Sequence, residues 1–238
     1  MTQAAAIKQD NNNQTNNNQA IARQLVENDV REQVAFSAQH TDNYHRPVLV
    51  VSKQRLRTNA RRFMAAMPRV RPHFAVKANP DAEILQTFKE EGTCFEIASI
   101  AELDAMRELG VDMETVFYSN PIKSPSAIKH AANHGLLWYC VDTPEEVEKI
   151  AMIKPDAKLY LRITVSNEGS SWPLAGKFGA GPAAVYAIIE ATKEHNMQLC
   201  GVTFHVGSQC SNINNWVAGI RASKQLFAQL SSHGFTPE

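Results

Sequence analysis

Lys77 stands in "RPHFAVKANP", at the end of the apolar run Phe74-Ala75-Val76 and just ahead of Asn79-Pro80. A lysine at the end of a buried strand costs free energy unless its ammonium is paired or its amine is used. Two readings follow. One is a lysine whose stem packs while its head reaches water. The other is a Schiff-base lysine, whose amine must stay neutral enough to attack a carbonyl. Three more polar residues bear on the choice: Glu96 in "TCFEIA", Arg162 in "KLYLRITV" and His205 in "GVTFHVGS". Each interrupts a short β-branched or aromatic run. A carboxylate and a guanidinium would set the charge around an amine, and an imidazole offers a flat face or a hydrogen bond. Gly207-Ser208 follows, giving close backbone approach and a hydroxyl for an anion such as phosphate.

The elements that must carry these residues alternate along the chain. Short strands are predicted at "HFAVK", "TCFEIA", "TVFYSN", "LLWYCVD", "KLYLRITV" and "CGVTFHVGS". Helices are predicted between them at "DAEILQTFKEEG", "SIAELDAMRELG", "SPSAIKHAANHG" and "TPEEVEKIAMI". Several of these end in Gly, which suits a helix C-cap, and Thr143-Pro144 reads as an N-cap and first helical residue. The first five strands recur roughly every 20 residues, the length of one βα unit, which argues for a parallel sheet with crossover helices. The Gly-, Ser- and Pro-rich "SNEGSSWPLAGKFGAGP" reads as a functional or interface loop.

Side chains alternate faces along a strand. Phe74 and Val76 oppose Ala75 and Lys77; Phe95 and Ile97 oppose Glu96. Leu159, Leu161 and Ile163 oppose Tyr160 and Arg162. Val202, Phe204 and Val206 oppose Thr203 and His205. One polar residue in one strand is unremarkable. Lys77, Glu96, Arg162 and His205 on the same phase of four strands predict a shared polar lumen, as at the mouth of a (β/α)8 barrel. Taken singly, His205 reads as a hydrogen-bonded core histidine, and Glu96 with Arg162 as a structural salt bridge.

Composition narrows the class. Lysine plus arginine equals aspartate plus glutamate at 24 each, so there is no global basic surface to bind nucleic acid. No apolar run approaches the length of a membrane span, and no signal-peptide core opens the chain. Cys94, Cys140, Cys200 and Cys210 form no C-x-x-C pair; they read as reduced thiols of a cytoplasmic protein, without a metal. Residues 1–19, with "QDNNNQTNNNQ", read as a disordered tail, 20–45 as an amphipathic helical segment, and 46–238 as the barrel part, entered by a short strand at "RPVLVVS".

A barrel lysine that forms an imine needs an aldehyde, and pyridoxal 5′-phosphate (PLP) is the best candidate. "FAVKAN" followed by "FHVGSQ" about 130 residues later, on strands of one barrel, is a specific pairing. With it the chain resembles the fold-type III PLP-dependent basic amino-acid decarboxylases, the ornithine, lysine, arginine and diaminopimelate group. The resemblance runs from about Arg46 to Gly234, anchored at "FAVKAN", "GTCFEIASIAEL", "YSNPIKS", "LRI", "GKFGA" and "GVTFHVGSQ". The ornithine branch is nearest by "GTCFEIAS", "SNPIK" and "GKFGA".

The resemblance implies an α/β fold, the alanine racemase-like PLP barrel. It implies that Lys77 forms the imine with the cofactor, that His205 stacks over its ring and that Ser208 binds its phosphate. Glu96 stands where eukaryotic ornithine decarboxylases have aspartate, and Arg162 matches an arginine near the lysine and that acid. Lys177 matches a lysine at the interface of a homodimer. The implied reaction is decarboxylation of ornithine to putrescine, with lysine possible. About six of the eight barrel strands are visible, and the family's Gly-rich phosphate loop, its acid for the pyridine nitrogen and its C-terminal β domain are not in the sequence. The expectation is an N-terminal part of a longer enzyme, inactive by itself. The alternatives are a single-domain PLP-binding homeostasis protein and a non-catalytic decarboxylase homologue that acts as a regulator. The alanine racemase branch itself fits the neighbouring motifs less well.

Overall fold

The computed structural model describes residues 30–32, 34–35, 49–172 and 176–238. The expected tail over 1–19 lies outside them, as does most of the expected helical segment over 20–45; within that segment, 30–32 and 34–35 are helical. The chain divides into two compact units, Met1–Arg71 and Pro72–Glu238.

In the first unit, helix α1 spans Lys53–Ala66, capped by Ser52, whose side chain accepts from the Arg55 N–H. This corrects one expectation: residues 49–52 of "RPVLVVS" are not a strand. Leu49 is 82% exposed and pairs with no strand among the described residues, and Ser52 commits the chain to the helix.

The second unit carries six parallel strands: β1 (His73–Ala75), β2 (Cys94–Ile97), β3 (Phe117–Tyr118), β4 (Trp138–Val141), β5 (Lys158–Ile163) and β7 (Gln198–Phe204). They are hydrogen-bonded in the order β1-β2-β3-β4-β5-β7. Between them run α2 (Ala82–Glu90), α3 (Ile100–Glu108), α4 (Pro125–Asn133), α5 (Pro144–Ala151) and α6 (Pro182–Glu194), and α7 (Ile213–Ser232) follows β7. Asp81, Ser99, Ser124 and Thr143 cap the first four of these, each accepting from first-turn N–H groups. Gly92, Gly110 and Gly135 end three of them with positive φ.

The sheet's two faces divide as the alternation predicts. Phe95, Ile97, Tyr139, Leu159, Leu161 and Leu199 are buried within the hydrophobic core that also takes in Leu103, Ile128, Val147 and Ile188 of the crossover helices. The other face is set by register: Ala75 pairs with Glu96, Glu96 with Phe117, Phe117 with Trp138, and Arg162 with Thr203. This is a parallel α/β sheet of six strands, an incomplete barrel.

The Gly-rich loop contains more order than its composition suggests. A strand, β6 (Ser170–Trp172), pairs antiparallel with β8 (Ser208–Cys210), beyond the end of β7. Its return closes on β5: the Ala180 N–H donates to the Arg162 carbonyl and the Thr164 N–H to the Ala180 carbonyl. Gly179 allows that approach. It sits at φ +96°, and a Cβ there would lie 2.8 Å from the Thr164 nitrogen.

Candidate active site

In a parallel barrel, chemistry gathers where the strands end. Each residue singled out in the sequence lies near that end. Lys77 does not extend β1 as expected. The strand stops at Ala75, and Val76–Ala78 form a single 3-10 turn. Asn79 N–H donates to the Val76 carbonyl, closing the turn just ahead of Pro80. Val76 is fully buried, whereas Lys77 is exposed. The turn thus anchors on one apolar side chain and presents the next residue's amine at the strand end.

Lys77, Glu96 and Arg162 line one cavity of about 260 Å³ together with Glu102, Ser119, Asn120 and Phe178. Glu96 and Arg162 form no ion pair among the described residues; Glu96 Oε2 instead accepts from Ser119 Oγ at 2.7 Å. The salt-bridge reading of that pair is therefore set aside. The Arg162 guanidinium stacks 5.0 Å from the Phe178 ring centre, and the exposed Lys177 lies 5.4 Å from the same ring. Glu102 closes a capping box at the cavity rim: its carboxylate accepts from Ala98 N–H and Ser99 Oγ.

His205 follows β7 directly and shares a narrow cleft with Arg162, Thr164 and Phe178. It is exposed, not a core residue. Desolvation, aided by the charges of Arg162 and Lys77, pushes its imidazole below the usual histidine range. The Gly207 N–H donates to His205 Nδ1 at 2.9 Å, and Asn167, itself buried, donates to the His205 carbonyl at 3.1 Å. Ser208 lines neither cavity. It is exposed in β8, opposite Trp172.

Sequence reasoning missed four residues that shape the site. Phe178 lies under the two cations. Asn167 holds the His205 turn. Asp142 Oδ2 accepts from the Gly179 N–H at 2.9 Å and fixes the returning loop. Lys123, wholly buried, donates to the carbonyls of Asn120 and Cys140 and pairs with Glu146 at 2.9 Å, pinning the loop that carries Ser119 and Asn120. Only the cation–aromatic adjacency of Lys177-Phe178 was visible in the sequence.

An amine, a carboxylate and a guanidinium around one cavity, with a deprotonated imidazole beside them, form a donor set that suits an aldehyde-bearing cofactor. Residues 53–238 match the model of the pyridoxal-dependent decarboxylases, pyridoxal-binding domain, and the chain belongs to that family. The cofactor of this domain is pyridoxal 5′-phosphate.

Among its relatives, ornithine decarboxylase of Mus musculus is 37% identical over 74% of this chain, which covers 38% of that protein. Antizyme inhibitor 2 of Xenopus laevis is 34% identical over 73% of the chain, again covering 38% of the relative. The crystal structure of lysine decarboxylase from Selenomonas ruminantium superposes with a TM-score of 0.77 at 30% identity, covering 87% of this chain and 53% of that one. The chain thus spans about two fifths of the length of these curated relatives. Among the described residues no helix is long and apolar enough to cross a membrane.

Proposed function

We propose that this chain is the cofactor-binding part of a cytoplasmic enzyme that decarboxylates a basic amino acid, with ornithine to putrescine the preferred reaction and lysine a possible substrate. The observation that carries the reading is the cavity shared by Lys77, Glu96 and Arg162 at the strand ends. When bound, the cofactor supplies an aldehyde for amines and a ring that accepts the electron pair left as CO2 departs.

Lys77 would hold the cofactor covalently through its amine. Glu96 keeps a negative charge beside that nitrogen, and Arg162 balances it from across the cavity. His205 would offer an uncharged face to the cofactor ring, and Ser208, exposed in β8 outside the cavity, would offer its hydroxyl to the phosphate. The Lys177 loop contributes to an interface between two copies in the functional homodimer.

The likeness to an antizyme inhibitor supports a second reading, a non-catalytic homologue that acts as a regulator. The presence of Lys77 favours the first. Reduction of the cofactor-loaded chain with borohydride, followed by peptide mapping, tests it. The label is expected on Lys77 and absent from Lys77→Ala. A label on another lysine, or none, would sink the catalytic reading.

A further inference from the structure

Below the Lys77 cavity, three polar side chains form a chain of hydrogen bonds. Tyr160 OH donates to Ser119 Oγ at 3.1 Å, and Ser119 Oγ donates to Glu96 Oε2 at 2.7 Å. The direction is fixed by chemistry. An ionised carboxylate only accepts, so Ser119 gives its one proton to Glu96 and takes one from Tyr160. Tyr160 is 6% exposed, and burial holds its phenol well above the usual range, so its O–H remains a donor.

Three strands supply the relay. Glu96 lies on β2, Ser119 directly follows β3, and Tyr160 lies on β5. The Ser119 backbone is fixed as well, its N–H donating to the Ile97 carbonyl at 2.8 Å. A second cavity of about 260 Å³ lies on the same face of the sheet, lined by His73, Phe117, Trp138, Tyr160 and Thr203 among others. Glu96 and Ser119 line both cavities, whereas Tyr160 lines only this one. The relay therefore forms a floor between them, with the phenol on the far side from Lys77.

We infer that Tyr160 and Ser119 are positioning residues for Glu96, tying Oε2 down from below so that the carboxylate is held at the cavity it shares with Lys77 and Arg162. This rests on the proposed function. A free glutamate side chain samples many rotamers, and restraining it in advance removes that cost from cofactor binding. Successive hydrogen bonds also polarise one another, so the phenol strengthens the serine's bond to the carboxylate. Tyr160 touches no cofactor in this scheme and acts only through Glu96.

The test is a double-mutant cycle on the full chain, with PLP affinity as the readout. Tyr160→Phe removes one hydroxyl and is expected to weaken PLP binding about three- to tenfold, the size of one hydrogen bond. In the Glu96→Ala background the same change is expected to be silent. Equal weakening in both backgrounds would show that the phenol merely fills space and would overturn the inference. If wild-type chain does not bind PLP, the proposed function fails, and the relay is then judged on the cofactor-free chain. There, NMR relaxation of labelled Glu96 should show an ordered side chain that becomes mobile in Tyr160→Phe. Unchanged Glu96 order would overturn it.

Discussion

The backbone N–H of Gly207 donates to Nδ1 of His205 at 2.9 Å, which places the proton of the neutral imidazole on Nε2. A backbone amide can only donate, so protonating Nδ1 would break this bond. Burial and the charges of Arg162 and Lys77 act in the same sense. The side chain is thereby kept uncharged beside two cations.

A pH dependence follows, with a defined sign. The folded His205 pKa lies below the ordinary value of about 6.5, so the unfolded chain binds more protons in between. Its contribution to stability is complete above about pH 6.5 and is lost as pH falls through the lower folded value. His134 is shifted in the same direction, mainly by desolvation, and adds to the trend. We expect urea stability to fall on acidification below pH 6.5, and His205→Gln to remove part of that slope. Nitrogen-15 NMR should find the Nε2–H tautomer at pH 7; an Nδ1–H tautomer would contradict the geometry.

Much of the site was legible because period-two alternation survives in real strands. Glu96 and Arg162 were assigned to the polar face by their apolar neighbours, and register confirms that face. Lys77 was placed on the same face for a partly wrong reason. The strand ends two residues earlier, and a 3-10 turn presents the amine. Asn79-Pro80 was the signal that the strand had to stop. Caps such as Ser99 and Thr143 were readable because their partners are three residues away. Tyr160, Ser119 and Asn167 were not, since their partners lie 41, 23 and 38 residues distant. "RPVLVVS" misled because strand propensity says nothing about whether a pairing strand exists.

Glu146 should be among the most sensitive positions for stability. It is 4% exposed and bonds both Lys123 and Lys149. Burial pulls the Lys123 pKa down while Glu146 opposes that shift. Glu146→Leu leaves a buried ammonium without its counter-charge and should cost about 3–5 kcal/mol in urea unfolding. Lys123→Met should cost less, because Glu146 keeps Lys149. A loss under about 1 kcal/mol for Glu146→Leu would mean that the carbonyls of Asn120 and Cys140 satisfy Lys123 alone.

Gly179 and Gly135 separate two costs of a side chain at positive φ. At Gly135, φ is +83° and a Cβ would meet nothing within 4 Å. Alanine there should cost about 1 kcal/mol, the backbone term alone. At Gly179, φ is +96° and the Cβ would collide with the backbone of Ile163 and Thr164. Gly179→Ala must also move the loop off β5, disturbing the Asp142 bond to the residue's own N–H. It should cost at least about 2–3 kcal/mol and weaken PLP binding, because Phe178 would move with the loop away from Arg162 on β5. Equal losses at the two glycines would show that the loop yields freely.

The 238-residue chain should self-associate when purified. In the sheet, β1 bonds only to β2 and β7 only to β5, so each presents one unpaired edge among the described residues. Such edges are templates for further pairing. Helix α7, beside β7, leaves Ile213, Trp216, Val217 and Ile220 exposed at spacings of three and four residues, an apolar stripe along one side. The unpaired β7 edge and the apolar stripe on the helix beside it should together drive self-association. The site above them is open too: Lys77 and His205 are exposed, which leaves water and salt to screen the charges that a decarboxylating site needs at close range. We therefore expect the purified chain to form concentration-dependent oligomers in sedimentation and to release no CO2 from carboxyl-labelled ornithine or lysine, even with saturating, unreduced PLP. A monodisperse chain that turns over either amino acid would show that six strands suffice to close the site.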